Sequence, residues 1–321
     1  MYVKFWGVRG SIPTPGPKTV RVGGNTACFE IQPGGGQHFI IDAGTGIREL
    51  GLNMMGRGNI GRVDAKIFLS HTHWDHIHGF PFFVPAFIPG NKFKFFGPVN
   101  FNEKLEDIVS GQMKYSYFPV KLEHMASTIE FIELKEGSFS VDGVKITAQY
   151  LNHPILTLGY RFEYNGKTVV TAFDTEPYSN PFKKEEKHED FDDFLFGGSD
   201  EAAAQQDEGG EDPVSEGDKI AAEMNQKVKN FARGADLMVF DAQYTKEEYP
   251  SKIGWGHSTI DDAIEIAIEA NVKRLAFFHH EPTRSDDAIE GMERYINEEL
   301  KKRGAKDTHI FAAREGMEID V

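Results

Sequence analysis

The sequence predicts an α/β protein in which helices cover a mixed β-sheet. Short β-branched and aromatic runs closed by turn residues indicate strands, and two of them, Gly159–Tyr164 and Lys167–Ala172, flank the dipeptide Asn165-Gly166 and predict a hairpin. Other strand signals alternate with helical periodicity, as in strand-to-helix units. Hairpins beside strand-to-helix units predict a mixed sheet with helices packed on it.

The remaining elements follow from the same signals. Apolar residues recur at helical spacing over Ile260–Ala270, with Ser258 or Thr259 expected as the N-cap. A second helix is expected from Ser285 to Arg303, capped by Ser285 or Asp286. The strand signals outside the hairpin are Lys66–Ser70, Val144–Tyr150, Leu237–Phe240, Arg274–Phe278 and Thr308–Ala312.

Composition restricts the class of protein. With 40% hydrophobic and 26% charged residues over 321 positions, the chain can bury a sizeable core. The uncharged run Phe80–Gly90 is shorter than the roughly 18–20 residues that span a bilayer, and the N-terminal residues carry no export signal. The single cysteine, Cys28, excludes a disulfide framework and a Cys-rich zinc site. We therefore expect a cytoplasmic protein with no membrane-spanning helix.

Negative charge is concentrated in one segment. Residues 183–219 hold 14 carboxylates and four lysines, so they contribute −10 to a formal net charge of −15 and leave −5 for the rest. The segment has few large apolar residues after Phe196, and such a composition cannot offset the entropy of ordering the chain. We therefore expect a mobile acidic insertion at about 181–220. No stable complex with nucleic acid is expected, since phosphate contacts require a basic surface.

Four potential metal ligands follow a predicted strand within six residues, in the sequence His71-Thr-His73-Trp-Asp75-His76. In an extended segment His71 and His73 point to the same side, and a turn after His73 brings Asp75 and His76 to a neighbouring point. Imidazole and carboxylate ligands suit zinc, manganese or iron. Two groups of ligands this close together indicate two adjacent metal ions.

Further segments match, in order, the motifs of one group of enzymes. They are Gly7–Pro13, Gly24–Cys28, Ile41–Gly46, His153-Pro154 with Gly159–Glu163, Phe173–Thr175, Gly256–Thr259 and Lys273–His279. Together with the histidine motif they resemble the metallo-β-lactamase superfamily of metallohydrolases, and within it the RNase Z-like phosphodiesterase branch. The resemblance covers nearly the whole chain except the acidic insertion. It implies an αββα sandwich of two mixed β-sheets flanked by helices, built as one domain over residues 1–321.

The resemblance also implies a dinuclear metal centre. Two divalent ions are implied, zinc first, with manganese or iron as alternatives. Independent support comes from the strand signals, since Asp174 and the last histidine each follow a predicted strand, as His71 does. Whether that last ligand is His279 or His280 stays open, although the motif alignment favours His279. The implied ligands are His71, His73 and His153 for one ion, Asp75, His76 and His279 for the other, and Asp174 as a bridge.

Hydrolysis by a hydroxide held between the two ions is the chemistry that the resemblance implies. Adjacent divalent metals lower the pKa of a bridging water and orient it for in-line attack on a phosphoryl group. Asp75 and Asp174 would fix that hydroxide, so Asp75 is expected to act in catalysis as well as in metal binding. His257, just before a predicted helix, resembles the proton donor to the leaving group; a simple helix cap is the other interpretation of its segment.

The expected function is a metal-dependent phosphodiesterase acting on a small phosphodiester, such as a cyclic nucleotide or a short oligonucleotide. Branch members that process transfer RNA carry a long basic arm between the equivalents of His153 and Asp174, whereas here a predicted hairpin of twenty residues separates them. Transfer-RNA 3′ processing is therefore the weaker alternative. The antibiotic-hydrolysing members use a cysteine near the second metal, and Cys28 is far from Asp174 in the sequence, which disfavours β-lactamase activity.

Other interpretations stay open. A lactone or thioester acyl hydrolase would use the same fold and nucleophile, and a binding module without activity is disfavoured by the complete ligand set. The resemblance suggests a homodimer. The run Phe80–Phe87 is interpreted either as core or as an aromatic wall on which a base stacks. Arg9 and Ser11 in the glycine-rich N-terminal loop, and Asn25, are candidates either for binding phosphate or for supporting the metal ligands from behind.

Overall fold

Two seven-stranded β-sheets form the centre of the protein. The computed structural model describes residues 1–56, 62–180, 182–183 and 213–321. In these ranges the strands, in chain order, are β1 (Tyr2–Gly7), β2 (Cys28–Gln32), β3 (His38–Ile41), β4 (Asp64–Phe68), β5 (Lys92–Pro98), β6 (Thr128–Leu134), β7 (Gly137–Val141), β8 (Val144–Leu151), β9 (Thr157–Tyr164), β10 (Lys167–Ala172), β11 (Leu237–Asp241), β12 (Arg274–Phe278), β13 (His309–Ala312) and β14 (Glu318–Asp320).

Each sheet joins an antiparallel part to a parallel part. The first sheet has the order β14-β1-β2-β3-β4-β5-β6, and the second has the order β13-β12-β11-β10-β9-β8-β7. The pairs from β3 to β6 are parallel, and so are the pairs from β10 to β13. Both sheets are therefore mixed, which confirms the fold class predicted from the sequence.

Helices cover the sheets. In the described ranges they are α1 (Gly46–Gly56), α2 (Trp74–Ile77), α3 (Leu105–Gly111), α4 (Pro213–Ala232), α5 (Ile260–Glu269) and α6 (Asp286–Lys302), with 3-10 turns at Phe80–Phe82, Val84–Phe87, Leu122–His124 and Tyr249–Ser251. None of the helices in these ranges is both long enough and apolar enough to span a membrane.

The main core lies between the two sheets and is rich in phenylalanine. Phe39 on β3 meets Phe162 on β9 at a ring-centroid distance of 6.0 Å. Phe5 on β1 meets Phe278 on β12 at the same distance, 6.0 Å. These rings are fully buried, and each contributes on the order of 1.5–3 kcal/mol through removal from water. The core therefore fixes the relative position of the two sheets.

The predicted elements of the second half are close to the observed ones. The hairpin turns at Asn165 and Gly166, whose φ angles of 49° and 73° are the left-handed values that a two-residue hairpin loop requires. Thr259, rather than Ser258, caps α5, since its side chain accepts from the amide of Asp262 in a capping box. Ser285 caps α6.

Most of the predicted acidic insertion, at 181–220, lies outside the described residues. Its last part, 213–220, is helical and begins α4. Later in the same helix, Asn225 binds the main chain of Tyr178, accepting from its amide at 2.8 Å and donating to its carbonyl at 2.9 Å. These bonds attach α4 to the segment that follows β10.

Candidate metal centre

The carboxyl ends of parallel strands from both sheets meet at one edge of the sandwich. Asp42 follows β3, His71 comes after β4, Asp174 follows β10, Asp241 ends β11 and His279 follows β12. Chain segments that leave a sheet here are free of the strand ladder, so polar side chains can converge in a crevice outside the strand ends. The structure brings the side chains of the predicted ligands together at this edge.

Three histidines point their ring nitrogens at one another. We call them the outer triad: His71, His73 and His153. The Nδ1 atom of His73 lies 2.9 Å from Nε2 of His71 and 3.1 Å from Nε2 of His153. Burial lowers the pKa of His71 well below its usual value and lowers the pKa of His153 to about 4. These two rings are therefore neutral near pH 7 and offer lone pairs to a cation.

A second set, the inner triad, consists of Asp75, His76 and His279. The Oδ2 atom of Asp75 lies 3.0 Å from Nε2 of His279 and 3.2 Å from Nε2 of His76. Asp174 lies between the triads: its Oδ2 atom is 3.3 Å from Nε2 of His76 and 3.6 Å from Nε2 of His71. One carboxylate therefore faces both triads.

This donor set fits divalent cations. Among the described residues, Nε2 of His76 and Oδ1 of Asp174 are buried and have ion-pair neighbours at 3.2–3.3 Å but no hydrogen bond of good geometry, which native structures rarely tolerate. Burial disfavours a charged His76 ring, yet the charges of Asp75, Asp174 and Asp42 raise its pKa well above the usual value. The buried site therefore favours positive charge. A bound cation would provide that charge and satisfy both atoms.

Side chains orient the histidines of the inner triad from behind. Oδ2 of Asp42 accepts from Nδ1 of His76 at 2.7 Å, and Oε1 of Gln243 accepts from Nδ1 of His279 at 3.0 Å. Such bonds keep a proton on Nδ1, so that Nε2 of each ring faces the centre and is the nitrogen that would bind a cation in place of a proton. Asp42 is fully buried, and Gln243 is nearly so.

The outer triad has weaker support. Nδ1 of His71 is 3.0 Å from the Ser70 hydroxyl, and Nδ1 of His153 is 3.0 Å from the Gly256 carbonyl oxygen. His73 is directed at the other two rings and lies next to Trp74, which is 81% exposed. The orientation of His153 thus depends on a main-chain carbonyl in a distant loop.

His257 lies beside both triads. Its ring stacks on His279 at a centroid distance of 4.9 Å and approaches His153 at 5.5 Å. Nδ1 of His257 is 2.8 Å from Oδ2 of Asp241. Burial disfavours its charged form, but Asp241, with a smaller contribution from Asp174, raises the pKa of His257 to about 9. The ring is therefore protonated near pH 7. Asp174, Asp241, His257 and His279 also have ligand atoms close enough to form a further cation-binding group.

His279, and not His280, joins the cluster. His279 has a left-handed backbone with φ of 59°, a conformation that costs a non-glycine residue energy and is concentrated at functional sites. His280 points to the other side, where Nε2 lies 2.9 Å from the Ala313 carbonyl oxygen. Asp174 and Asp42, with φ of 54° and 58°, share this backbone conformation.

Two of the candidate phosphate-binding groups serve the structure instead. Arg9 is fully buried, and its guanidinium donates to the carbonyls of Gly23 and Arg284, at 2.8 and 2.7 Å. Asn25 donates its side-chain amide to Glu315 at 3.1 Å. The guanidinium and the amide are therefore committed to loop carbonyls and to a carboxylate.

Ser11 contributes to the centre through its main chain. Its amide donates to Oδ2 of Asp75 at 2.7 Å, and its φ of 60° is left-handed. The neighbouring Gly10 is required by space, since a Cβ atom there would lie 2.3 Å from the His279 ring. The glycine-rich segment thus approaches the inner triad closely.

The run Phe80–Phe87 belongs mainly to the core. Phe80 and Phe83 are fully buried, in a second apolar cluster on the outer side of the first sheet. Phe82 is 56% exposed and packs on Phe118 at a centroid distance of 5.3 Å. The core interpretation therefore holds for the larger part of the run.

Sequence reasoning missed three residues that orient the site: Asp42 and Gln243, which bind the inner histidines, and Asp241, which binds His257. Asp42 and Asp241 were detectable, because Asp42 follows a strand and Asp241 ends one, as several predicted ligands do. Gln243 carries no such signal.

A cavity of about 510 Å³ opens beside the outer triad. Its lining includes His153, Thr72, Ile155, Leu156 and Phe101, and the ring of Phe101 is 90% exposed. Among the described residues that line it there is no lysine or arginine, and Glu103 adds a carboxylate. The cavity therefore suits an uncharged or apolar group rather than a phosphate.

The αββα sandwich, with a histidine–aspartate cluster at its edge, has the architecture of a metal-dependent hydrolase. Residues 37–205 match the beta-lactamase superfamily domain, and the chain belongs to this superfamily of metal-dependent hydrolases.

Curated relatives agree with this membership. The chain is 31% identical to the ribonuclease Z of Lactococcus lactis subsp. lactis over 236 residues, which cover 68% of this chain and 71% of the relative. It is 25% identical to the ribonuclease Z of Staphylococcus haemolyticus over 292 residues, 87% of this chain and 88% of the relative.

Two solved structures share the fold. The metallo-beta-lactamase fold protein YhfI from Bacillus subtilis matches with a TM-score of 0.62 at 16% identity, over 99% of this chain and 98% of that chain. A diphosphatase from the PhnP family matches with a TM-score of 0.60 at 18% identity, over 100% of this chain and 97% of that chain.

Proposed function

We propose that this chain is a dinuclear metal-dependent phosphodiesterase that hydrolyses a small phosphodiester bearing an uncharged aromatic group. The observation that carries the proposal is the position of His257, a histidine bonded to a buried carboxylate and stacked on the inner triad. Hydrolysis of an ester with an alkoxide leaving group needs such a proton donor next to the metal ligands.

In the proposed site, the outer triad would hold one divalent ion and the inner triad the other, with Asp174 shared between them. Bound divalent ions would activate a water molecule and screen the charge of the phosphoryl oxygens. Asp75, held by the Ser11 amide, would help to orient the attacking water. The fully buried Asp42 keeps His76 in the ligating tautomer.

His257 would protonate the leaving oxygen. Because its Nδ1 is bound to Asp241, its Nε2 is the atom that would donate to a substrate. Asp241 itself is held by the amides of Gln243 at 3.1 Å and Thr175 at 3.3 Å, so the pair is fixed from both sides. A fixed donor contributes typically 10²- to 10⁴-fold to such a step.

The adjoining cavity supports a small substrate. Its lining near His153 combines the exposed Phe101 ring with Ile155 and Leu156, which would take a nucleobase by stacking at about 1–3 kcal/mol. The absence of cations among its described lining residues, together with Glu103, would disfavour the next phosphate of a polynucleotide.

Transfer-RNA 3′ processing is the second candidate, because curated ribonucleases Z are among the relatives. Against it stands the segment between His153 and Asp174, which consists of β9, a two-residue turn and β10. Binding of the RNA body would have to come from elsewhere on a chain of net charge −15.

The test is a substrate panel with protein loaded with zinc or manganese. It includes bis(4-nitrophenyl) phosphate, cyclic nucleotides, a dinucleotide, a phosphomonoester, a lactone and a precursor transfer RNA. We expect turnover of the diesters, with cyclic nucleotides or the dinucleotide the better natural-type substrates. Preference for the lactone, or for the precursor RNA by more than tenfold in kcat/KM, would overturn the proposal.

Phe101→Ala tests the cavity. We expect KM for a nucleotide diester to rise about tenfold, which corresponds to about 1.4 kcal/mol of lost stacking. KM for methyl 4-nitrophenyl phosphate, which has no base, should stay unchanged. Phe82→Ala removes another exposed ring, one that does not line this cavity, and serves as the control. Equal effects of the two variants would contradict a base-binding role.

Zinc as the bound ion and a homodimeric assembly are parts of the same proposal. Metal analysis of protein purified without added metal, and light scattering of the eluted peak, measure them. A metal other than zinc as the main ion in the purified protein, or a monomer at micromolar concentration, would contradict the respective part.

A further inference from the structure

The buried carboxylate of Glu176 accepts several hydrogen bonds from one loop. It is 7% exposed, and its Oε1 atom accepts from the Tyr249 hydroxyl at 2.7 Å. The amide of Gly254 donates to Oε1 at 2.9 Å and that of Gly256 donates to Oε2 at 3.0 Å. One carboxylate thus binds three groups of a single loop, Tyr249–Gly256.

The main chain of Glu176 reaches the other side of the outer triad. Its amide donates to the Asn152 carbonyl at 2.9 Å, directly before His153. On the loop side, Gly256 accepts from Nδ1 of His153 at 3.0 Å. Glu176 therefore holds both the chain that carries His153 and the carbonyl that receives the proton of its ring.

This arrangement decides the tautomer of His153. When the Gly256 carbonyl accepts from Nδ1–H, Nε2 keeps its lone pair and faces His73, 3.1 Å away. If the loop moved, no acceptor would hold the proton on Nδ1, and the other tautomer would place a proton where a cation must bind.

Only glycine fits at position 256. Its φ is 80°, a left-handed value, and a Cβ atom there would lie 2.1 Å from Nδ1 of His153. The loop therefore lies so close to the ring that a side chain at this position would collide with it. Glu176 holds the loop there through four contacts with three donor groups, each of which would otherwise need another partner.

We propose that Glu176 is a positioning residue that, through the Tyr249–Gly256 loop, fixes His153 in its ligating tautomer and so controls occupation of the outer metal position. The inference rests on the proposed role of His153 as a metal ligand. It adds that this ligand is controlled by a residue that does not touch the metal centre.

Glu176→Gln is the direct test. The amide presents one acceptor oxygen and two N–H donors, so it cannot receive all the groups that the carboxylate receives. In metal-free protein labelled with ¹⁵N, the ring nitrogens of His153 should show the Nδ1–H tautomer in the unchanged chain and a mixture in the variant. Zinc titration should show an affinity reduced about 10- to 100-fold at one position, with the other unchanged.

Glu248→Gln is the control, because Glu248 is a neighbouring carboxylate that binds Arg284 and Thr245 instead of the loop amides. It should leave both the tautomer and the zinc titration as in the unchanged chain. Tyr249→Phe removes one of the contacts to Glu176 and should give an intermediate effect of a few fold.

A matched glycine pair keeps the test independent of the stability of the Glu176 variant. Gly254 and Gly256 have similar φ angles of 83° and 80°, but a Cβ atom at Gly254 meets nothing within 4 Å. Gly254→Ala therefore adds only the backbone strain of a left-handed alanine. Gly256→Ala adds the same strain and also displaces the His153 ring. Only Gly256→Ala should weaken zinc binding at the outer position by tenfold or more.

The outcomes separate this inference from the proposed function. If the unchanged chain binds fewer than two ions, the dinuclear function fails whatever Glu176 does. If it binds two ions and Glu176→Gln shows the same tautomer and affinities, or if Gly254→Ala and Gly256→Ala have equal effects, the positioning role is wrong while the function stands.

Discussion

The inner and outer triads contain similar donors but are held in different ways. His76 and His279 are backed by side chains on strand-end segments, Asp42 and Gln243, both of them buried. His153 is backed by the main chain of a loop that Glu176 holds. The inner triad is therefore part of the sandwich, whereas the outer triad is completed by a peripheral segment.

Because of this difference, the inner triad is held more rigidly than the outer triad. The inner triad contains the carboxylate of Asp75, whereas the outer triad consists of three imidazole rings, so a cation at the inner triad would meet more negative charge. In the proposed centre, both charge and rigidity therefore favour tighter binding at the inner position. His257, the proposed proton donor, lies at the boundary, since its ring contacts a histidine from each triad.

The largest effect is expected from His257→Ala. It should slow hydrolysis of a diester with a poor alkoxide leaving group by 10²- to 10⁴-fold, but slow a 4-nitrophenyl diester much less, because only the alkoxide needs a proton. The His257→Ala variant should still bind two ions per chain. His73→Ala, which removes a proposed ligand, should slow hydrolysis of both substrates strongly. Loss of an ion from His257→Ala would assign this residue to a third ligand group with Asp174, Asp241 and His279.

Asp42→Asn tests the rigid triad. The amide keeps the shape of the side chain but removes the charge that stabilises His76, so affinity at the inner position should fall about 10- to 100-fold. Zinc titration followed by calorimetry measures it. Asp64→Asn, which changes an exposed aspartate paired with Lys66, is the matched control. If the outer position were the one weakened, the division into two triads would be misplaced.

Stepwise removal of metal compares the triads in one sample. With increasing chelator, the outer ion should leave first, and the two steps should be separated by about tenfold in chelator concentration. The ¹⁵N signals of the His153 ring should respond in the first step and those of the His279 ring in the second. Simultaneous release, or the reverse order, would show that loop support and charge do not set the affinities.

The smallest effect on the centre is expected from a change outside both triads. Asp236 accepts from the Thr168 amide at 2.9 Å and from Lys273 at 2.7 Å. Asp236→Asn should lower the free energy of unfolding by about 1–3 kcal/mol, because a charged acceptor is lost. Zinc affinities should not change. Thermal unfolding and zinc titration of the same sample distinguish this global loss from a local one.

The pH dependence of that contribution has a defined sign. Burial opposes ionisation of Asp236, but Lys273 and the Thr168 amide outweigh it and lower the pKa of the carboxyl. A carboxyl group whose pKa is lower in the folded state stabilises the fold at pH values above its unfolded pKa of about 4. This stabilisation is lost as the pH falls through the folded pKa. The difference in stability between Asp236→Asn and the unchanged chain should therefore shrink below about pH 4. A constant difference from pH 7 to pH 3 would contradict it.

Much of the candidate site is local in sequence. His71, His73, Asp75 and His76 stand within six residues at a strand end, so the strand and the turn alone bring them close together. The hairpin and the caps Thr259 and Ser285 were predictable for the same reason, because turn and cap preferences depend on a few neighbouring residues.

The tertiary structure alone decided what holds the candidate ligands, and it brings His279, which the motif alignment had favoured, into the cluster instead of His280. Asp42 meets His76 across 34 positions, and the Gly256 carbonyl meets His153 across 103. No local preference encodes such pairs, because each joins chain segments that follow two different strands of one sheet. His279 is chosen over His280 by its left-handed backbone and the core beneath β12. The sequence by itself thus determined the donor atoms and the chemistry open to them, while long-range packing determined their orientation, since orientation depends on partners that only the complete fold brings together.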